Sequence, residues 1–172
     1  IRDSFLDQVL KDAVSLAKKQ IQEKNPDLAD QDQVAHDVGV GAVVFHDLKN
    51  DRLDNFDFDL EEVVRFEGDT GPYVQYTNAR AQSVLRKAAA MGENPSETDL
   101  ALDDDWAFAV AKDLADFPRI VARSAEKFEP SVIAKFALDL AKKLNKYYAN
   151  VKILTKDDKI GARLALVQAT SI

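Results

Sequence analysis

Apolar residues recur every three or four positions along most of the chain, the signature of helices with one buried face. Over residues 4–24 the stripe is Phe5, Leu6, Val9, Leu10, Ala13, Val14, Leu16, Ala17 and Ile21, with Lys11, Lys18 and Lys19 outside it. Asn25-Pro26 ends this helix, because the residue before a proline is driven out of the helical region. A second helix is predicted over 31–48 with Val34, Val38, Ala42, Phe45 and Leu48 inward. Gly39 and Gly41 inside it cost about 1 kcal/mol each relative to alanine, which points to close helix packing. Residues 50–66 are the least regular: Phe56, Phe58 and Leu60 alternate with Asp57 and Asp59 as a short strand would, and 60–66 then turn helical.

The turn at 66–72 separates this half from the rest. Gly68 and Gly71 permit unusual backbone angles, and Pro72 pre-sets the φ of a first helical turn. A helix is therefore predicted from Pro72, with Asp69 and Thr70 placed to accept from its free N–H groups. Tyr73, Tyr76, Arg80, Val84 and Lys87 share one face of it. It should end near Met91, with Gly92 as C-terminal cap, and 93–98 read as a linker. Asp103, Asp104 and Asp105 then cap a helix carrying Trp106, Phe108, Val110, Leu114 and Phe117; Pro118 interrupts it, and Ile120, Val121 and Ala125 continue its apolar face to Phe128. Pro130 opens another, whose inward stripe is Ile133, Phe136, Ala137, Leu140, Leu144 and Tyr147. A final helix from about Lys156 holds Ile160, Leu164 and Val167. The pattern predicts an all-α protein built as a helical bundle with a smaller, mainly helical appendage.

Composition narrows the chemistry. A chain of 172 residues that is 46% hydrophobic can bury one good core plus an appendage. There is no cysteine, hence no disulfide framework, thiolate nucleophile or cysteine-bound metal. No apolar run approaches a membrane span and no signal-peptide pattern is present, so a cytoplasmic protein with no membrane partner is expected. Ile1 in place of an initiator Met reads as a piece of a longer chain. The net charge of -7 is unevenly spread: residues 1–68 hold 8 Lys+Arg against 16 Asp+Glu, 69–129 hold 7 against 11, and 130–172 hold 8 against 3. A basic tail on an acidic protein suits a polyanion such as nucleic acid, although a solvated basic face has the same pattern.

No catalytic constellation emerges. His36 and His46 are ten residues apart and do not share a helical face as a zinc pair would. Asp51, Asp54, Asp57 and Asp59 lack the glycine and spacing of a calcium loop. Gly39 and Gly41 lack the third glycine and acidic partner of a dinucleotide motif. Binding is better supported. Asn145, Lys146, Tyr147 and Tyr148 combine amide, cation and two rings at a helix end, followed by Asn150 and Lys152, with Lys143 one turn before. Unpaired RNA bases are held by stacking on such rings while cations hold the phosphates. Of the two rings, one is expected to finish the core stripe and the other, Tyr148, to face the ligand. Arg163 is expected to reach the same cleft. Arg80, Arg86 and Lys87 form a second, weaker basic cluster.

Residues 68–80, with 38–45 before them and 163–167 after, resemble the C-terminal part of bacterial arginyl-tRNA synthetase, a class I family, over nearly the whole chain; Asn78 stands where the family pattern has histidine. The resemblance implies that 1–67 are the tail of the catalytic domain and 68–172 the helical anticodon-binding (DALR) domain, apparently truncated at its C-terminus. It implies tRNA(Arg) and the catalytic domain as partners, a monomer, and tRNA contacts among Arg80, Lys87, Lys143, Asn145, Lys146, Tyr147, Tyr148, Lys152 and Arg163. Arg80 and Lys87 are placed by it either on the inner tRNA stem or against the catalytic domain. The HIGH-type and KMSKS-type motifs that bind ATP in class I synthetases are missing, so no cofactor is expected here, ATP with Mg is expected for the whole enzyme, and this piece should be inactive alone. Two other readings stay open: a protein-interaction module using the Trp106 helix, and the anticodon-binding domain of another class I enzyme such as the cysteinyl one.

Overall fold

A computed structural model describes residues 5–96 and 102–171. Among them the chain forms α1 (Leu6–Lys24), α2 (Gln31–Lys49), α3 (Leu60–Val63), α4 (Gly71–Ala90), α5 (Asp105–Lys127), α6 (Ser131–Asn150) and α7 (Ile160–Thr170), and no strand. No helix of the described residues is long and apolar enough to cross a membrane.

Two apolar clusters organise the packing. In the first, Ala13 of α1 meets Ala42 and Val43 of α2 and Val63 and Val64 at α3. Small residues let the helices close in: a Cβ built on Gly39 would lie 2.6 Å from Val14 Cα. The second joins α4, α5, α6 and α7 through Ala81, Val84, Val110, Leu144, Tyr147, Leu164 and Val167. α2 also packs on α4 and α6. It approaches α4 tightly at Gly71, where an added Cβ would come within 2.9 Å of Phe45 Cβ and 3.0 Å of the Gly41 carbonyl oxygen.

Caps set the helix ends. Thr70 Oγ1 accepts from Tyr73 N–H at 3.2 Å, so α4 begins at Gly71 with Pro72 in its first turn. At its other end Gly92 takes φ 78°, Gly92 N–H donates to the Ala89 carbonyl and Glu93 N–H to the Ala88 carbonyl. That is the paired closure which satisfies the last free carbonyls of a helix. The linker expected beyond it lies partly outside the described residues, as Glu97 and Thr98 do. Asp104 caps α5 by accepting from Ala107 N–H at 2.7 Å, while Asp103 pairs with Lys159 at 2.9 Å.

Five expectations are corrected. Residues 56–59 form no strand; Phe56 and Phe58 instead lie edge-on against the His46 ring at 5.2 and 5.5 Å between centroids. Pro118 does not interrupt α5, because a proline costs the helix one donor and α5 is held on both sides of it, with Phe117 stacked on Phe136 of α6. The buried stripe of α6 is Ser131, Ala134, Leu138, Ala141, Leu144 and Tyr147, turned by about one residue from the expected face, and Ile133 is exposed. α7 starts at Ile160 and not at Lys156, since Asp157 accepts from Lys159 N–H and holds the preceding residues in turns. On α2, Val38 and Ala42 are buried as expected but Leu48 is exposed.

Candidate nucleic-acid interface

α4 and the end of α6 lie side by side, and the chain after α6 folds over to make a third wall. The result is a groove of about 840 Å³ bounded by Tyr76, Arg80, Ser83 and Lys87 of α4, by Tyr148 and Asn150 of α6, and by 151–155 of the α6–α7 loop. Three cations line it, Arg80, Lys87 and Lys152, and no acidic residue does. On a protein of net charge -7 this is a local reversal of sign.

Of the three cations, Arg80 is the one held by other side chains. Its guanidinium carbon sits 4.9 Å from the Tyr76 ring centroid and 5.0 Å from that of Tyr148, so it is held between two rings. It also donates to the Asn145 side-chain carbonyl. The Asn145 amide nitrogen in turn donates to the Tyr73 hydroxyl at 3.0 Å and to Thr77 Oγ1 at 2.7 Å, while the Thr77 hydroxyl donates to the Tyr73 carbonyl at 2.8 Å. Asn145 is thereby committed to the protein and aims Arg80. The Lys87 and Lys152 ammonium groups have no ion-pair or hydrogen-bond partner among the described residues, so their charge is free for a ligand.

Of the rest of the predicted set, Tyr148 lines the groove and the others fall elsewhere. Tyr147 is 0% exposed, and burial pushes its phenol well above the usual range; its hydroxyl has no partner among the described residues. Tyr148 is 44% exposed. Lys143 faces α5, bonded to Asp113 at 2.6 Å, and Lys146 is exposed but outside the groove. Arg163 is 6% exposed and does not reach the groove: it is enclosed behind the loop, on the carbonyls of Ile153 and Thr155 and the Asp157 carboxylate. The expectation that it extends into the cleft is corrected, and the cause is that its four bonds draw it inward. Tyr76 and Ser83 are additional lining residues; Tyr76 was legible as one turn before Arg80 on the same face.

Residues 74–172 match the family model for the DALR anticodon binding domain, and residues 3–60 match that for tRNA synthetases class I (R), catalytic domain. The chain belongs to the DALR anticodon-binding domain family. It is 94% identical over 168 residues to the arginine–tRNA ligase of Lactobacillus acidophilus, covering 98% of this chain and 30% of that protein. The corresponding protein of Lactobacillus johnsonii is 76% identical over the same coverage. In structure the chain is similar to Thermus thermophilus arginyl-tRNA synthetase with a TM-score of 0.87 and 39% identity, over 97% of this chain and 29% of that one. The fold is shared with the Plasmodium falciparum arginyl-tRNA synthetase at a TM-score of 0.81 and 23% identity. The chain thus spans about a third of the length of its relatives, and the groove lies within the DALR-matching part, on α4, α6 and the α6–α7 loop.

Proposed function

We propose that this chain is the anticodon-binding part of an arginine–tRNA ligase and that the groove between α4 and the α6–α7 loop receives the anticodon loop of tRNA(Arg). The observation that carries the reading is the groove itself, with two half-exposed rings and three cations and no acid among its lining residues. Bases turned out of a loop stack on rings of this kind, while Lys87 and Lys152 supply the cations that hold phosphates. Arg80, pinned between the rings, supplies a fixed planar donor set toward the ligand.

In the same proposal the ligase reaction, which uses ATP with Mg, is carried by the rest of the polypeptide. The segment matching the class I catalytic domain supports docking of α1 and α2 against that domain. A monomer in the cytoplasm completes the reading. The test is a filter-binding titration of the full-length protein with tRNA(Arg), a non-cognate tRNA as competitor, across a salt series. Salt-dependent binding that the non-cognate tRNA does not compete away supports it; salt-insensitive or absent binding rejects it.

A further inference from the structure

Arg163 is the one fully charged side chain buried among the described residues, and it lies directly behind the third wall of the groove. Its Nε donates to the Ile153 carbonyl at 3.0 Å and its Nη2 to the Thr155 carbonyl at 2.6 Å. Nη2 and Nη1 also engage the two oxygens of Asp157 at 2.7 and 3.2 Å. Four bonds from one planar fork therefore reach two backbone oxygens and a carboxylate in the segment joining α6 to α7. A buried guanidinium is tolerated only when its donors are met in this way.

The placement is specific. Ile153 is buried in the core while Lys152 beside it is exposed and lines the groove, so bonds that hold the Ile153 and Thr155 carbonyls restrain the stretch of backbone that carries Lys152. Thr155 closes the end of the same wall. An apolar residue at 163 would fill the space but hold none of these oxygens, and lysine, with its donors on one atom, cannot span them.

We propose that Arg163 is a positioning residue for RNA binding, which shapes the 151–157 loop so that Lys152 and the loop backbone meet the ligand, without touching the ligand itself. This rests on the groove being the RNA site. It assigns to Arg163 a role distinct from the direct contact expected from the sequence.

The test uses the full-length protein with tRNA(Arg) in a salt series, comparing wild type, Arg163→Lys, Asp157→Asn and Lys152→Gln, with amide hydrogen exchange alongside. Lys152→Gln should make the slope of log affinity against log salt shallower by about one, as loss of one phosphate contact does. Arg163→Lys should lower affinity about tenfold, the scale of one misplaced charge-assisted contact, and make that slope shallower by no more than Lys152→Gln does, because the phosphate contact it disturbs is that of Lys152. Asp157→Asn, at a part-exposed carboxylate, should lower affinity in the same direction by less, and speed exchange at 152–157 while α4 and α6 keep their protection. If Arg163→Lys fails to fold, Asp157→Asn decides alone. Wild-type affinity in Asp157→Asn, or a slope in Arg163→Lys that falls further than in Lys152→Gln, overturns the positioning role. Absence of salt-dependent binding by the wild type overturns the groove assignment instead, and this inference with it.

Discussion

Tyr147 and Tyr148 are neighbours in sequence with opposite fates, and the difference decides which one can meet a ligand. Tyr148 stands at the groove with one face against Arg80. Its replacement by alanine should weaken tRNA binding by about 1–3 kcal/mol, the usual worth of one base stacked on a ring, measured by titration at fixed salt. Tyr147→Phe should leave tRNA binding unchanged. It removes a buried hydroxyl that has no partner among the described residues, so stability should hold or rise by up to about 1 kcal/mol in urea unfolding. His46 gives a pH signature. Its ring packs between Phe56 and Phe58, and burial, helped by Lys49, lowers its pKa; bonding and charge from Asp57 and Asp47 oppose this without cancelling it. A basic group whose folded pKa is depressed adds stability above its unfolded pKa and forfeits it as pH falls through the folded one. The melting temperature should therefore drop as pH is lowered from neutral through the weakly acidic range, and His46→Leu should flatten that part of the curve. An equal drop in both proteins would refute this role for His46.

Helices were legible and their faces less so. α1, α2, α4 and α6 follow from the period of apolar residues, and the caps Thr70, Gly92 and Asp104 were readable because each residue type answers a defined need of a helix end. The rotation of the α6 stripe was not readable. Ile133, Phe136 and Leu140 lie about one residue round the helix from Ala134, Leu138 and Ala141, both faces are apolar, and only the close approach of neighbouring helices selects the small one. The α2 glycines separate into two kinds on the same ground. Gly39→Ala drives a Cβ to 2.6 Å from the backbone of Val14, which cannot yield without moving α1 from α2, so it should cost about 1–3 kcal/mol despite better helix propensity. At Gly41 the added Cβ meets the end of the Gln75 amide, a flexible group that can swing away. Gly41→Ala should be neutral or gain up to about 1 kcal/mol. Urea unfolding of the two variants distinguishes them, and equal losses would contradict the close packing assigned to Gly39.

Across the whole molecule, charge had to be followed through its pairing before it located anything. The basic tail was plain in the sequence, yet much of it is spent internally: Lys142 on Asp69, Lys143 on Asp113, Lys159 on Asp103 and Arg163 on Asp157. What remains for a ligand at the groove is Lys152 from the tail, joined by Arg80 and Lys87 from α4, more than sixty residues away in sequence. No local pattern announces that meeting, because it depends on α4 and α6 packing side by side and on Arg163 folding the loop back over them. The central claim is that these free cations grip RNA. The most direct measurement is the salt dependence of tRNA(Arg) binding by the full-length protein and its Lys87→Gln/Lys152→Gln variant. The account predicts a slope of log affinity against log salt shallower by about 1 to 2 in the variant, as for two lost phosphate contacts, with unchanged melting. An unchanged slope would contradict it.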